Sequence, residues 1–183
     1  MSKWMIASDL HGDAACVERL LERYRESGAE RLILLGDLLY HGPRNDLPTG
    51  YEPKRVIDLL NAASGELLCV RGNCDTEVDQ MVLNFPILAE YAYLEADGVR
   101  LFATHGHRFN RTALPSLKAG DILLHGHTHV PAAEAFGQRN LYLNPGSVSL
   151  PKEGSPNSYL LFENGRFAFC DLFGDVYREV RIE

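Results

Sequence analysis

A chain of 183 residues, 45% hydrophobic and 23% charged, has an ordinary globular composition and can bury a sizeable core, so one domain over 1–183 is expected. A formal net charge of -7 excludes a protein that grips long nucleic acid through a broad basic face. It leaves open a small phosphorylated substrate, because bound divalent cations would supply positive charge locally.

Lys3 to Ser8 reads as a first strand that delivers Asp9 and His11 into a turn at Gly12. Its apolar run is too short, and too soon interrupted by Asp9, for a signal peptide or a membrane span. The four cysteines show no CxxC spacing, and Cys16, Cys69 and Cys170 fall in helix or strand patterns as reduced, mostly buried thiols. A cytoplasmic protein without a membrane partner is therefore expected.

Asp13 can cap a helix in which Val17, Leu20, Leu21 and Tyr24 recur at helical spacing, with Gly28 as its stop. Arg31 to Leu35 is a second, continuously aliphatic strand ending at Gly36-Asp37. The stretch 41–50 is a long Pro- and Gly-rich loop beside that Asp, placed where substrate contacts usually arise. Pro53 opens a second helix with Val56, Ile57, Leu59, Leu60 and Ala63 on its buried side. Glu66 to Arg71 is a third strand running into Gly72-Asn73-Cys74-Asp75, and Val78, Met81 and Val82 mark a short helix after it. This β-α-β-α-β order predicts a parallel sheet with helices packed on it.

The pattern then changes. Glu90 to Glu95 and Val99 to Thr104 flank Asp97-Gly98, so these strands are expected to pair antiparallel. Ala119 to His125 is another core strand, leading into Gly126-His127-Thr128-His129. Short strands follow at Ala132 to Phe136, Leu141 to Leu143, Ser158 to Phe162, Arg166 to Asp171 and Val176 to Ile182, with turns at Asn164-Gly165 and Gly174-Asp175. Two facing sheets with helices outside, an α/β sandwich, fit this order best.

Five strand ends thus carry metal-binding side chains: Asp9 and His11, Asp37, Asn73, His105, and the pair His127 and His129. A pair of divalent cations needs a shared carboxylate, and Asp37 is the carboxylate at the end of the second strand. Asp9 and His11 supply an anionic and a neutral ligand from one turn, Asn73 an amide oxygen, and His105, His127 and His129 complete the set. Oxygen and nitrogen donors without thiolate suit two ions of Mn²⁺, Fe or Zn²⁺, with open octahedral sites tilting toward Mn²⁺ or Fe.

Asp-x-His, Gly-Asp, Gly-Asn-x-Asp, His-Gly and Gly-His-x-His, in this order, resemble the calcineurin-like metallophosphoesterase superfamily. The small size, Asp9-Leu10-His11-Gly12, Gly72-Asn73-Cys74-Asp75 and Asn144-Pro145-Gly146-Ser147 resemble its small bacterial phosphodiesterases of the YfcE type. The resemblance spans Asp9 to about Ser149 and implies a four-layer αββα sandwich. It also implies that Asp9, His11 and His129 hold one metal, that Asn73, His105 and His127 hold the other, and that Asp37 bridges them. A hydroxide shared by the metals would attack phosphorus in line, on a small-molecule phosphodiester.

One residue departs from the pattern. Many members of the superfamily carry His after the Asn, where this chain has Cys74. A thiol of ordinary pKa roughly 8.5 is a weaker proton donor for this task than an imidazole near roughly 6.5. Asn73 and Cys74 are the residues expected to meet the phosphoryl group, in a diesterase of modest turnover that prefers activated esters. Asn73 can offer an amide N–H to a phosphoryl oxygen while its carbonyl ligates metal, and Asp75 can orient Cys74 or a nearby ligand. The alternatives are a phosphomonoesterase or nucleotidase with the same site, or a non-catalytic metal-bound scaffold for protein contacts. Oligomeric state is left open.

Other residues near the motifs carry blander readings. His107 is a loop histidine touching phosphate or water, and His125 a packed core histidine. His41 either lines the cleft or sits in a solvated turn, while Arg44 and Arg71 either meet a phosphate or, as arginines more often do, lie at the surface. Asn144 to Ser147 either shapes backbone beneath the ligands or is an ordinary tight turn.

Overall fold

Alternation along the first strand builds two cores at once. In the computed structural model, which describes residues 2–182, β1 (Lys3–Ala7) points Met5 and Ala7 to the helical side and Ile6 to a second sheet. The strand β2 (Arg31–Leu34) does the same with Leu32 and Leu34 against Ile33. Helix α1 (Ala14–Ser27) lies between these strands in sequence, capped by Asp13, which accepts from the Cys16 N–H at 3.0 Å. Gly28 ends it in the left-handed conformation, φ 68°. Helix α2 (Pro53–Ala62) packs beside α1 with Val56 and Leu60 buried, while Ile57, Leu59 and Ala63 are partly buried. The strand β3 (Leu67–Cys69) then completes a parallel trio.

Strands β9 (Ser158–Glu163), β10 (Arg166–Asp171) and β11 (Val176–Arg181) extend this sheet antiparallel, giving the order β11-β10-β9-β1-β2-β3. The second sheet holds β4 (Tyr91–Ala96), β5 (Val99–Thr104), β6 (Ile122–Leu124), β7 (Ala132–Phe136) and β8 (Asn140–Asn144), ordered β4-β5-β6-β8-β7. Asp97 and Gly98 both take positive φ, as do Asn164 and Gly165, which is the backbone a two-residue hairpin turn requires. Between the sheets Ile6, Ile33, Phe162, Phe167 and Phe169 meet Leu101, Ile122, Leu124 and Leu143. The rings of Phe162 and Phe167 lie 4.8 Å apart there.

The fold class is the expected one, with three differences of detail. Antiparallel pairing holds for β4 with β5 and β7 with β8, but β5, β6 and β8 run parallel to one another. The strands β2, β3 and β6 stop short of the expected Leu35, Arg71 and His125, because their last residues already belong to the turns that carry polar side chains. On the outer face of the second sheet, Phe102, Leu123 and Tyr142 lie under Phe109 and Leu117 from the irregular stretch 105–121, with no helix there among the described residues. The short helix α3 (Glu77–Gln80) forms, closed by reciprocal bonds between Thr76 and Asp79. Val78 within it, and Met81 and Val82 just after it, stay exposed.

The inter-sheet core sets a stability contrast. Phe162→Ala should lower unfolding free energy by about 3–5 kcal/mol in a denaturant titration, because Phe162 is fully buried. Leu47→Ala, in an exposed loop, should change it by less than about 0.5 kcal/mol.

Candidate metal centre

The carboxyl ends of two parallel trios, β1-β2-β3 and β5-β6-β8, open onto one place, as open α/β sheets do where ligands bind. Asp9 and His11 follow β1, Asp37 follows β2 and Asn73 follows β3. His105 follows β5, and His127 and His129 follow β6. Five of these side chains sit on strained backbone: Asp9 (φ 57°), His11 (45°), Asp37 (56°), His127 (69°) and His129 (63°). Left-handed backbone costs a non-glycine residue about 1–2 kcal/mol, and Asp and His are among the types that tolerate it. It turns successive side chains back toward one point.

Donor atoms converge there in two groups. His129 Nε2 lies 3.2 Å from Asp9 Oδ1 and 3.2 Å from His11 Nε2, which is itself 3.6 Å from Asp9 Oδ1. His105 Nε2 lies 3.0 Å from Asn73 Oδ1 and 3.1 Å from His127 Nδ1. Asp37 Oδ2 faces both groups, 3.8 Å from His11 Nε2 and 3.5 Å from His105 Nε2.

The far side of each ring explains why these nitrogens face inward. The Nδ1–H groups of His11, His105 and His129 donate to the carbonyls of Tyr40, Leu35 and Leu150 at 2.7–2.8 Å. That fixes the tautomer and leaves Nε2 as the inward lone pair, the arrangement that suits a metal ligand. The carboxylates are likewise divided. Asp9 Oδ2 accepts from the His127 N–H at 2.9 Å, while its buried Oδ1 has no hydrogen-bond partner. Asp37 Oδ1 accepts from the Cys74 N–H at 2.8 Å, leaving Oδ2 to the imidazoles. Lone pairs gathered around buried carboxylates call for positive charge, as protons or a cation, and this donor set fits divalent ions.

Protonation tells the same story. Burial pushes the Asp9 carboxyl up, but the neighbouring imidazoles of His11 and His129 outweigh it and hold the group well below the usual carboxylate range. Burial opposes charge on His105, yet Asp37 and Asp9 outweigh it and raise the imidazole to about 9. His11 is raised in the same way by Asp9, against its own burial. Burial and the neighbouring His105 charge lower His127 to about 4. Without metal, the cluster gathers protons to neutralise its carboxylates.

A scaffold of backbone bonds keeps the turns in place. Asp75 accepts from the N–H groups of Asp37 (2.9 Å), Leu38 (2.9 Å) and Gly72 (2.7 Å), so it anchors the Asp37 turn rather than orienting Cys74. A Cβ at Gly72 would fall on the Asp37 carboxylate, which is why that motif begins with glycine. The stretch Asn144 to Ser147 is more than a turn. Asn144 Nδ2 donates to the Gly126 carbonyl at 2.9 Å, and Ser147 Oγ donates to the Asp9 carbonyl at 2.8 Å.

A cleft of about 350 Å³ opens over the donors, walled by Asn73, Cys74, His127 and Thr128 and edged by Arg44 and Lys152. Arg44 is therefore at the cleft, the less expected of its two readings. Lys152 went unnoticed in the sequence, where its one signal is its place just past the Asn144–Ser147 turn. Its N–H donates to the His129 carbonyl at 3.1 Å. Burial and the Asp37 charge push the Cys74 thiol up, so it stands neutral on the wall. Asn73 Nδ2 donates to its sulfur at 3.1 Å. Arg71 turns away to Glu77 (3.3 Å) and the Asp75 carbonyl (3.2 Å). His41 packs between Tyr40 and Tyr51. His107 stands beside His105, ring centroids 5.5 Å apart, outside the converging donors. His125 is buried and stacked on Tyr142 at 4.5 Å, as a core histidine would be.

Comparison with known proteins agrees with this architecture. A family profile described as the calcineurin-like phosphoesterase superfamily domain matches residues 3–165. Phosphodiesterase YfcE of Escherichia coli strain K12 is 51% identical over 164 residues, covering 90% of this chain and 89% of that protein. A solved structure of YfcE, described as a phosphoesterase from E. coli, superposes with a TM-score of 0.95 at 47% identity, over 99% of this chain and 100% of that one. Zinc-complexed Vps29 from Entamoeba histolytica shares the fold at TM-score 0.66 and 21% identity, over 99% of each chain.

The raised imidazoles predict how metal and pH are linked. A cation must displace the proton on His105, so affinity should rise about tenfold per pH unit between 6.5 and 9. In the metal-free protein, the stability these imidazoles contribute is full below their ordinary value near 6.5 and lost as pH rises through about 9. Thermal melts should therefore fall with pH in chelator and stay level between pH 6.5 and 9 in saturating divalent metal, where neither the metal-bound cluster nor the unfolded chain holds that proton. Parallel pH trends in the two conditions would contradict it.

Proposed function

We propose that this chain, which belongs to the calcineurin-like phosphoesterase superfamily, is a phosphodiesterase working with two divalent cations. The observation that carries the reading is the one oxygen, Asp37 Oδ2, that faces both imidazole groups. Asp9, His11 and His129 would hold one cation, Asn73, His105 and His127 the other, with Asp37 shared between them. Oxygen and nitrogen donors with a thiol kept neutral favour Mn²⁺, with Fe or Zn²⁺ next. Bound cations of this kind supply Lewis-acid polarisation of a phosphoryl group and activation of water for in-line hydrolysis.

The chain's own residues do the rest. Arg44 and Lys152 place positive charge at the rim of an otherwise acidic protein, drawing a phosphate into the cleft. Asn73 turns Oδ1 inward and spends one Nδ2 proton on the Cys74 sulfur, which leaves the second amide N–H for a phosphoryl oxygen. Cys74 lines the cleft as a neutral thiol and is a weak acid toward a departing alkoxide. Esters with good leaving groups are accordingly the better substrates. Similarity to a protein named a phosphodiesterase, at 51% identity, supports diesters over monoesters.

Two measurements test this. With Mn²⁺ added, the purified protein should hydrolyse a bis-aryl phosphodiester faster than an aryl monoester. Asp37→Asn should lower that rate by more than the roughly 10–100-fold that loss of an outer partner costs. Wild-type turnover in Asp37→Asn would end the proposal. Cys74→His, at equal metal content, should raise the rate on diesters with poor leaving groups about tenfold or more. An unchanged rate would remove Cys74 from the leaving-group side.

A further inference from the structure

A phosphodiester carries two arms, and the cleft described above accounts for the phosphoryl group and a charged edge. His127 and Thr128 also wall a second cleft, of about 440 Å³, on their other side. From its geometry we infer that this second cleft receives a flat, uncharged aromatic arm of the diester, an aryl group or a nucleobase. The inference rests on the phosphodiesterase reading for the substrate and on the structure for the cleft.

Three observations point to that class of group. The two clefts share His127 and Thr128 as walls, so an arm esterified to phosphorus at the cluster has only that ridge to cross to enter the second. Its inner wall is aromatic: Tyr142 lies nearly parallel to His125, at 30° with centroids 4.5 Å apart. The Arg111 guanidinium hangs over the Tyr142 ring at 5.9 Å, paired on its other side with Glu134. That separation is looser than a stacked contact. A small outward swing of the exposed arginine would let a planar ring lie with an aromatic face below and a guanidinium above.

Charge separates the two clefts. Arg44 and Lys152 edge the first, whereas Glu134 and Glu153 stand at the second and disfavour an anionic arm. A neutral ring fits this second set of walls and a phosphate does not.

Calorimetric binding of phenylphosphonate and methylphosphonate to the Mn²⁺-loaded protein tests the cleft apart from turnover. The wild-type chain should bind phenylphosphonate about tenfold more tightly than methylphosphonate. Val130→Trp, which fills the cleft from a partly buried wall position, should abolish that advantage with methylphosphonate binding unchanged. Arg111→Ala, at an exposed side chain, should reduce it in the same way. Equal binding of the two ligands by wild type would overturn the inference. So would variants that keep the advantage, or variants in which both affinities fall together. A protein that shows the aryl preference yet hydrolyses no diester would sink the functional reading and leave the cleft. One that hydrolyses diesters without the preference would do the reverse.

Discussion

Two carboxylates, Asp9 and Asp37, are buried where the sheets meet, and a buried carboxylate without compensation is among the costliest features a fold can hold. Imidazoles from both sheets surround them, which is why the two parallel trios must present their carboxyl ends at the same edge. The apolar seam of Phe162, Phe167 and their neighbours is what sets the sheets face to face. The fold and the donor cluster are thus one requirement seen from two ends. The seam aligns the strands, and the strands place opposing charges close enough to neutralise each other or to capture cations.

Alignment alone would scatter the side chains, since a strand end points its residues alternately to opposite faces. Left-handed backbone at five donor positions gathers them, at a conformational cost repeated five times. That cost is met by backbone hydrogen bonds from residues that touch no inward donor atom. Asp75 takes three N–H groups around the Asp37 turn, and Asn144 and Ser147 hold the Gly126 and Asp9 carbonyls. Burial and the nearby Asp37 charge raise the Asp75 carboxyl to about 6 even with those three donors on it. It is a costly anchor, and the turn it secures carries the oxygen that faces both imidazole groups.

Much of this could be read from residue order. Aliphatic runs ending in Asp, His or Asn marked the strand ends, and Asp97-Gly98 and Asn164-Gly165 marked hairpins whose backbone is the one such pairs favour. What could not be read depends on contacts distant in sequence. The parallel pairing of β6 with β8 is invisible locally, because short aliphatic strands pair either way. Arg44 and Lys152 look like any surface cations until loops 108 residues apart close over one cleft. The apolar pattern at Val78, Met81 and Val82 has helical period yet stays exposed, so periodicity identified the helix without identifying what it packs against. The left-handed backbone left only an indirect trace, the glycines beside the donors.

The division between strand-borne and loop-borne groups bears on how such a site can change. Inward donors follow strands directly, and His11, His105 and His129 are locked by carbonyls behind their rings, so altering one disturbs charge balance in a dry interior. The groups around the two clefts come mostly from elsewhere: Arg44 and Lys152 from loops, Arg111 from the irregular stretch covering the second sheet, Val130 from the approach to β7. These positions are exposed or partly buried and carry no share of the buried charge. Cys74 divides its two parts between these sets, since its N–H fixes Asp37 while its thiol faces the cleft. Its backbone is committed to the cluster and its side chain is not.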